Sequence, residues 1–413
     1  MRLSWGVVKD LLAGLQGVLL VLNRSIVKLA IPVAIGALAL TACGSDDGDS
    51  NGGGGGGGGT TYKIAYQGPL SGDNVALGEN MQNGIQLAIN EANESGDYDF
   101  TVEYVATDDR GVEGQATAAA QLVIDDEDVI AAIGPAFSGP AEVAAPLYGE
   151  AGVLAVSSSA TNPTLTEQGF PTFLRAVPND FAQGAGMAQF LAAQDGVEKV
   201  ILVDNVTPYG EGLAEVAEAS LTELGLEVER SSVPVDTPDY SGAARTVVQS
   251  GADALVYAGY YQTAGPFAAS LKDAGFDGIA VSGDGTNDMQ FLSLAGAASE
   301  GWYLTCPCTD ATADEATADF AERYQSAFNQ PPGTYSAESY DVAQMIISAI
   351  AELGAEANRG SLYEAVATGS YEGLTKTFSF DENGEFTNDA IFMYQVQGDD
   401  IAYLGPIEEL TGG

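Results

Sequence analysis

Two turns rich in glycine and hydroxyl side chains stand out as places where this chain could meet a small molecule. Ser138 lies in GPAFSG after the apolar run Val129 to Ile133, and Ser159 to Thr161 follow a second apolar run, Val153 to Val156. A helical pattern joins them, with Val143, Leu147 and Tyr148 on one face, so the stretch reads as one βαβ unit. Both turns then sit at the carboxyl ends of adjacent parallel strands, the edge at which open α/β sheets bind ligands. Backbone amides and small hydroxyls converge there, and the following helix N-terminus can receive a carboxylate. Three later strand-end turns offer other groups: Val206 to Gly212 after KVILVD, Gly259 to Tyr261 after ALVYA, and Ser282 to Gly285 after the strand at Ile279. They bring aromatics and an acid, Asp284, with no Lys or Arg among the five turns. A zwitterion needs neutral donors for its carboxylate and a buried acid for its ammonium. Each such charge-assisted hydrogen bond is worth roughly 1.5–3 kcal/mol.

The elements that must carry these turns alternate along the chain. YKIAYQ from Tyr62 is the first strand, and Glu79 to Asn93 is a helix with Met81, Ile85, Ala88, Ile89 and Ala92 on one face. Phe100 to Thr107 alternates as a strand and Glu113 to Ile124 is helical. Arg175 to Asp180 (RAVPND) reads as a break, after which the alternation starts afresh. Strands are expected at Lys199–Asp204, Leu226–Arg230, Ala254–Ala258, Ile279–Ser282 and Trp302–Thr305. Helices are expected at Gly210–Leu224, Tyr240–Ser250, Gln262–Ala274 and near Asp288–Leu294. From Thr312 the pattern is helical (Ala316–Phe328, Ala337–Leu353, Ser361–Ala367), and two strand-like runs, Thr375–Phe380 and Ile391–Val396, complete it. Two α/β lobes with several crossings between them follow from this order. No internal sequence repeat is visible.

Composition excludes several functions. With 14 Lys+Arg against 58 Asp+Glu, net −44, the 413-residue chain has no basic footprint for a nucleic acid. Histidine is absent, which removes His triads, His metal sites and the usual general base near neutral pH. No Gly-rich phosphate loop with Lys and no G-x-S-x-G elbow is present, so an enzyme is the weakest reading. Asp125 to Asp128 reads as a solvated helix end rather than a cation site, and Asp381 to Gly384 as a hairpin turn rather than a calcium loop.

Leu29 to Leu40 is a 12-residue apolar run preceded by Arg24 and Lys28 and followed by Thr41-Ala42-Cys43. This looks like a bacterial lipoprotein signal, whose Cys43 becomes the lipidated N-terminus after cleavage. The run is shorter than the roughly 20 residues of a membrane span. Residues 1–22 read as an over-extended start. After Cys43, GSDDGDSNGGGGGGGGTT is an acidic, Gly-rich tether with nothing to bury. Cleavage removes Arg2, Lys9, Arg24, Lys28 and Asp10, leaving 10 basic and 57 acidic residues, net −47. Such an excess is expected to suit high salt. The melting temperature should therefore rise markedly between about 0.1 and 1 M salt, as the screening length falls from roughly 10 to 3 Å. A flat or falling melting curve over that range would remove the high-salt reading.

In their order and spacing, GPLSGDNVALGENMQNGIQLAIN from Gly68, GPAFSG, GVLAVSSSATNPTLT from Gly152, YGEGLA at Tyr209 and YAGYY ending at Tyr261 resemble the branched-chain amino-acid (Leu/Ile/Val-type) binding proteins of ABC importers. The resemblance covers Tyr62 to the C-terminus. It implies a type I periplasmic-binding fold, α/β, with two Rossmann-like lobes on parallel-sheet cores joined by multiple crossovers. Residues 1–42 would be the signal peptide and 43–61 the tether. Residues 62–178 and 308–387 would form the first lobe, and 179–307 and 388–413 the second. Ser138 and Thr161 would hold the ligand α-carboxylate through hydroxyls and backbone amides, with Ala160 beside them. The Ser159 carbonyl and Asp284 would hold the ammonium, and Tyr209 and Tyr260 would close from the second lobe. Leu77, Ala136, Phe137 and Tyr335 would line the side-chain pocket. Asp284 stands where that family typically has a glutamate, and Phe137 occupies a position of a disulfide found in some members. The implied partners are a small amino-acid-like ligand, the membrane permease subunits and the membrane itself through the lipid. The protein is expected to be a monomer at the outer face of the cell membrane, without cofactor, metal or catalytic residues. A ligand-sensing ectodomain, or an amide- or aromatic-acid-binding protein on the same fold, is the alternative. Cys306-Pro307-Cys308 falls at a crossover. A disulfide is plausible in an exported protein, while a bridge across one residue is tight, so two free thiols stay open.

Overall fold

The computed structural model describes residues 59–313 and 315–411. The expected signal peptide, Cys43 and the tether as far as Gly58 lie outside the described residues. The first half of the chain alternates β1 (Thr60–Gly68), α1 (Val75–Ser95), β2 (Phe100–Asp108), α2 (Glu113–Ile124), β3 (Val129–Ile133), α3 (Ser138–Ala151), β4 (Leu154–Ser157), α4 (Thr164–Glu167) and β5 (Phe173–Arg175). Then come α5 (Asp180–Ala192), β6 (Lys199–Asp204), α6 (Pro208–Glu223), β7 (Glu227–Ser232), α7 (Ser241–Ser250), β8 (Ala254–Ala258), α8 (Tyr261–Ala274), β9 (Ile279–Ser282), α9 (Met289–Ala295) and β10 (Tyr303–Cys306). Helices α10 (Ala318–Phe328), α11 (Ser336–Leu353) and α12 (Arg359–Thr368) follow. Strands β11 (Tyr371–Glu372), β12 (Thr377–Phe378), β13 (Phe392–Gln397) and β14 (Asp400–Pro406) and helix α13 (Ile407–Thr411) complete the described chain.

One sheet runs β2-β1-β3-β4-β5, all parallel; the other runs β14-β13-β10-β9-β8-β6-β7. Within the second, β7-β6-β8-β9-β10 repeats the strand order of the first, although no sequence repeat announces it. That order reverses direction between its second and third strands, which opens a crevice at the carboxyl edge. The strands between helical layers carry continuous apolar runs because both faces are covered: β3 and β8 are buried throughout. Helix α1 buries Leu77, Met81, Ile85, Ala88, Ile89 and Ala92 along one stripe, as their spacing predicts. It packs against α11, so α11 and α12 return to the first sheet after β10, and the chain crosses again to reach β13.

The structure departs from the sequence expectations in a few places. Strand β1 begins at Thr60, and Thr60 and Thr61 pair with Phe100 and Thr101, so the first strand takes in the last two residues of the expected tether. The second sheet is not purely parallel, since β13 pairs antiparallel with β10 and with β14. Strand β14 and helix α5 were not foreseen. Helix α5 buries Gln183, Gly184 and Gly186 in its first turns, and its apolar stripe, Met187, Ala188, Phe190 and Leu191, begins only after them. The run at Thr375 shrinks to the two residues of β12. Asp126 and Asp128 are not merely solvated; both pair with Lys63, at 2.8 and 3.3 Å. Asp381 does form a turn, accepting from the amides of Asn383 and Glu385 ahead of a bridge between Phe380 and Phe386. Cys306 and Cys308 are joined by a disulfide within the buried crossover after β10.

Candidate functional site

Every candidate turn leaves the carboxyl end of a parallel strand, and the two lobes meet over them. Gly134, just past β3, has φ 110°, and a Cβ there would meet the Gln67 carbonyl oxygen at 2.3 Å. Only glycine lets the chain turn this sharply into α3, whose first residue is Ser138. Thr207 caps α6 by accepting from the Gly210 amide, and Pro208 opens the helix, which delivers Tyr209 to the cleft. Asp284 begins a short 3₁₀ turn after β9. Gly285 beside it leaves space for two rings, since a Cβ would lie 2.9 Å from both Tyr209 and Tyr260.

A small cavity results, lined by Leu77, Phe137, Ser138 and Ser159 from the first lobe, Tyr335 from the α11 entrance, and Tyr209, Tyr260, Asp284 and Gly285 from the second. Ala136, Ala160 and Thr161 are buried but do not reach its wall. Phe137 and Tyr260 stack across the cleft with ring centroids 4.5 Å apart, and Tyr260 leans on Tyr209 at 5.0 Å. The Ser138 hydroxyl accepts from the Asn162 amide at 3.3 Å, tying the two first-lobe turns together. The Ser159 hydroxyl donates to the Ala136 carbonyl at 2.6 Å, so that side chain shapes the turn and leaves its own carbonyl as the polar group on offer. Further bonds hold the lobes shut: Asn162 Nδ2 donates to the Pro208 carbonyl at 2.7 Å, and the Ala76 amide to the Tyr261 hydroxyl at 3.2 Å.

Asp284 is the electrostatic centre. Gln183 Nε2 and the Tyr209 hydroxyl donate to its Oδ1 at 2.7 and 2.9 Å, and the Tyr335 hydroxyl to its Oδ2 at 2.8 Å. Burial pushes its acidity toward the neutral form, and these three donors oppose that shift without cancelling it. The hydroxyls of Tyr209, Tyr260 and Tyr335 are held well above their ordinary pKa, chiefly by burial, so they stay protonated, and those of Tyr209 and Tyr335 donate to Asp284. Tyr335 differs from its expected part: besides lining the pocket it reaches the acid, and its left-handed backbone (φ 65°) aims it there. Among the described residues no Lys or Arg forms an ion pair with Asp284.

Two residues of α5 join this site without having been picked out. Gln183 Nε2 donates to Asp180 Oδ1 at 3.1 Å as well as to Asp284, and its Oε1 accepts from the Asp284 amide and the Thr305 hydroxyl. Asp180 is fully buried, and its amide donates to the Thr161 carbonyl at 2.9 Å. Their signal in the sequence is the acid just after Asn179, the residue that caps α5. Arg175, also fully buried, donates Nη1 to the carbonyls of Ala160 and Asn162, at 3.2 and 2.6 Å, and pairs with Glu385. The arrangement offers donors at one pole, carboxylates at the other and an aromatic and aliphatic wall between them.

Residues 61–400 match the family model described as "Periplasmic binding protein". The chain is 26% identical over 337 residues to the leucine-, isoleucine-, valine-, threonine- and alanine-binding protein of Pseudomonas aeruginosa, covering 81% of this chain and 90% of that protein. Among solved structures it is similar to a leucine-binding protein of Thermotoga maritima, with 28% identity and a TM-score of 0.77 over 84% of this chain and 98% of the other. It is likewise similar to the branched-chain amino-acid transporter substrate-binding protein of Streptococcus pneumoniae in complex with isoleucine, with 26% identity and a TM-score of 0.76 over 84% and 100% of the two chains.

Proposed function

The chain belongs to the periplasmic binding protein family, and from that premise we propose that it is the extracytoplasmic subunit of an ABC importer that closes two lobes on a branched-chain or related amino acid. One observation carries the reading: a buried carboxylate, Asp284, faces a donor-rich turn at Ser138 across a cavity walled by Leu77, Phe137 and Tyr260. A buried acid without a protein cation is costly, and a ligand ammonium supplies the missing partner. The ligand carboxylate fits the start of α3, where the Ser138 hydroxyl and free amides meet the positive end of the helix dipole. Thr161 stands behind the wall, with its hydroxyl beside Asp180. Anionic aromatic acids without an amino group suit this site poorly, because nothing in them answers Asp284. A thermal-shift screen of amino acids, amides and aromatic acids tests the assignment. A ligand at 100 times its dissociation constant should stabilise the protein by about 2.7 kcal/mol. Leucine, isoleucine or valine should lead the screen, and a response confined to amides or aromatic acids would overturn the reading.

The anchor is part of the same proposal. Cys43 after Leu40-Thr41-Ala42 supports lipidation and attachment to the outer face of the membrane. Cys43→Ser is expected to move the protein from the membrane fraction to the soluble one. Retention on membranes with residues 1–42 still attached would overturn the lipoprotein reading.

A further inference from the structure

Behind the cavity wall lies a group that the binding of an amino acid does not by itself require. Asp180 does not line the cavity, yet the amide of Gln183 links it to Asp284, which does. That amide cannot rotate to offer its oxygen to either acid, because Oε1 is already held by the Thr305 hydroxyl and the Asp284 backbone. Two polar atoms remain beside it without a hydrogen bond of good geometry: Asp180 Oδ2 and the Thr161 hydroxyl. Both residues are fully buried. Two carboxylates thus share one donor amide in a dry site, and Asp180 Oδ2, which has no hydrogen-bond partner, is the oxygen left free to carry a hydrogen. Like charges held this close do not ionise together at low cost.

We propose that the Asp180–Asp284 pair holds one proton before ligand binds and releases it to solvent when the ligand ammonium reaches Asp284. This rests on the amino-acid-binding reading above. The balance is simple: a zwitterion enters unchanged, the protonated carboxyl of the pair becomes a carboxylate, and the proton passes to the buffer. The positive charge that arrives at Asp284 relieves the repulsion that kept the pair protonated. The ligand carboxylate sits at the opposite pole, over the N-terminus of α3.

The other groups that face Asp180 support release near neutrality. Burial raises its pKa to about 7, with repulsion from Asp284 adding to the shift; the Thr161 hydroxyl, Gln183 and the Arg175 charge oppose it. The Arg175 charge is itself engaged by Glu385. Tyr209 and Tyr260, which also feel Asp180, stay protonated throughout this range. The chain contains no histidine, so no imidazole can imitate the effect.

Calorimetric titration of the purified protein with L-leucine, in buffers of low and high ionisation enthalpy, reads the proton directly. Neither ionisable group of leucine changes charge between about pH 5.5 and 7.5. Near pH 6 the release should approach one proton per leucine, and it should fade by about pH 8.5. Over pH 5.5 to 7.5 the affinity should rise by up to about 25-fold, the limit for one proton leaving a group that titrates near 7. Asp180→Asn should still bind leucine, with no buffer-dependent heat and a flat pH profile. If that variant does not fold, the wild-type buffer series decides alone. Leucine binding with no proton release, with proton uptake, or with release undiminished in Asp180→Asn would overturn the exchange and leave the binding reading standing. No leucine binding in any buffer would overturn the binding reading and the exchange with it.

Discussion

Titration of leucine against Asp284→Asn is expected to give a dissociation constant weakened by about thirty-fold or more, roughly 2–5 kcal/mol, as when one partner of a buried charge pair is truncated. Asn is the informative replacement. It keeps an oxygen for Gln183 and Tyr209, and the Tyr335 hydroxyl can turn to accept from the new amide, so the wall of the cavity stays formed. Alanine would strand three buried donors at once and confuse lost binding with lost structure. The 2-oxo analogue of leucine, which lacks the ammonium, should lose comparable affinity on the wild type and much less on Asp284→Asn. The four titrations form a double-mutant cycle. Zero coupling between Asp284 and the amino group would sink the proposed site, and tight wild-type binding of the oxo acid would sink the amino-acid assignment.

Why Asp284 could be read from the sequence and Asp180 could not is a matter of where local patterns stop. Asp284 follows a short apolar strand, Ile279 to Ser282, in a Gly-flanked turn, so its place at the carboxyl edge follows from the strand alone. The same holds for Ser138 after β3 and Tyr260 after β8, both of which line the cavity. Asp180 begins a helix whose apolar stripe, Met187, Ala188, Phe190 and Leu191, lies in its second half, while its first turns bury Gln183 and Gly184 and expose Phe181, so periodicity marks the helix late and says nothing of Asp180. Its nearness to Asp284 depends on α5 packing against β10 and on Gln183 bridging the two acids, which no window of sequence encodes. Tyr335 illustrates the same limit. It was legible as a pocket residue, but its bond to Asp284 joins the start of α11 to the opposite lobe. The repeated strand order of the two sheets was hidden for another reason: topology demands only the alternation of buried strand and half-buried helix, and many sequences satisfy that.

Arg175 is expected to be the basic residue whose loss costs most stability: Arg175→Met should lower the unfolding free energy by about 3–5 kcal/mol in urea denaturation, as when a buried pair loses one partner. Its side chain is 0% exposed and that of Glu385 20%. It donates to Glu385 through two nitrogens, Nε to Oε1 at 2.9 Å and Nη2 to Oε2, while Nη2 also reaches the Thr166 hydroxyl at 2.8 Å. The match of planar guanidinium to carboxylate is bidentate, which lysine cannot reproduce. Accordingly Arg175→Lys should recover only part of the loss. A comparison on the surface sets the scale: Arg323 pairs with Glu91 at 3.3 Å with 43% of its side chain exposed, and Arg323→Met should cost less than about 1 kcal/mol. The effect should extend to binding, since Arg175 Nη1 clamps the carbonyls on either side of Thr161. Measured well below its melting temperature, Arg175→Met should bind leucine about tenfold or more weakly, a change of roughly 1.4 kcal/mol. A stability loss no larger than that of Arg323→Met would show that the buried pair contributes nothing beyond a surface one. An unchanged leucine affinity in a destabilised variant would separate the two roles and confine Arg175 to holding the crossover between the lobes.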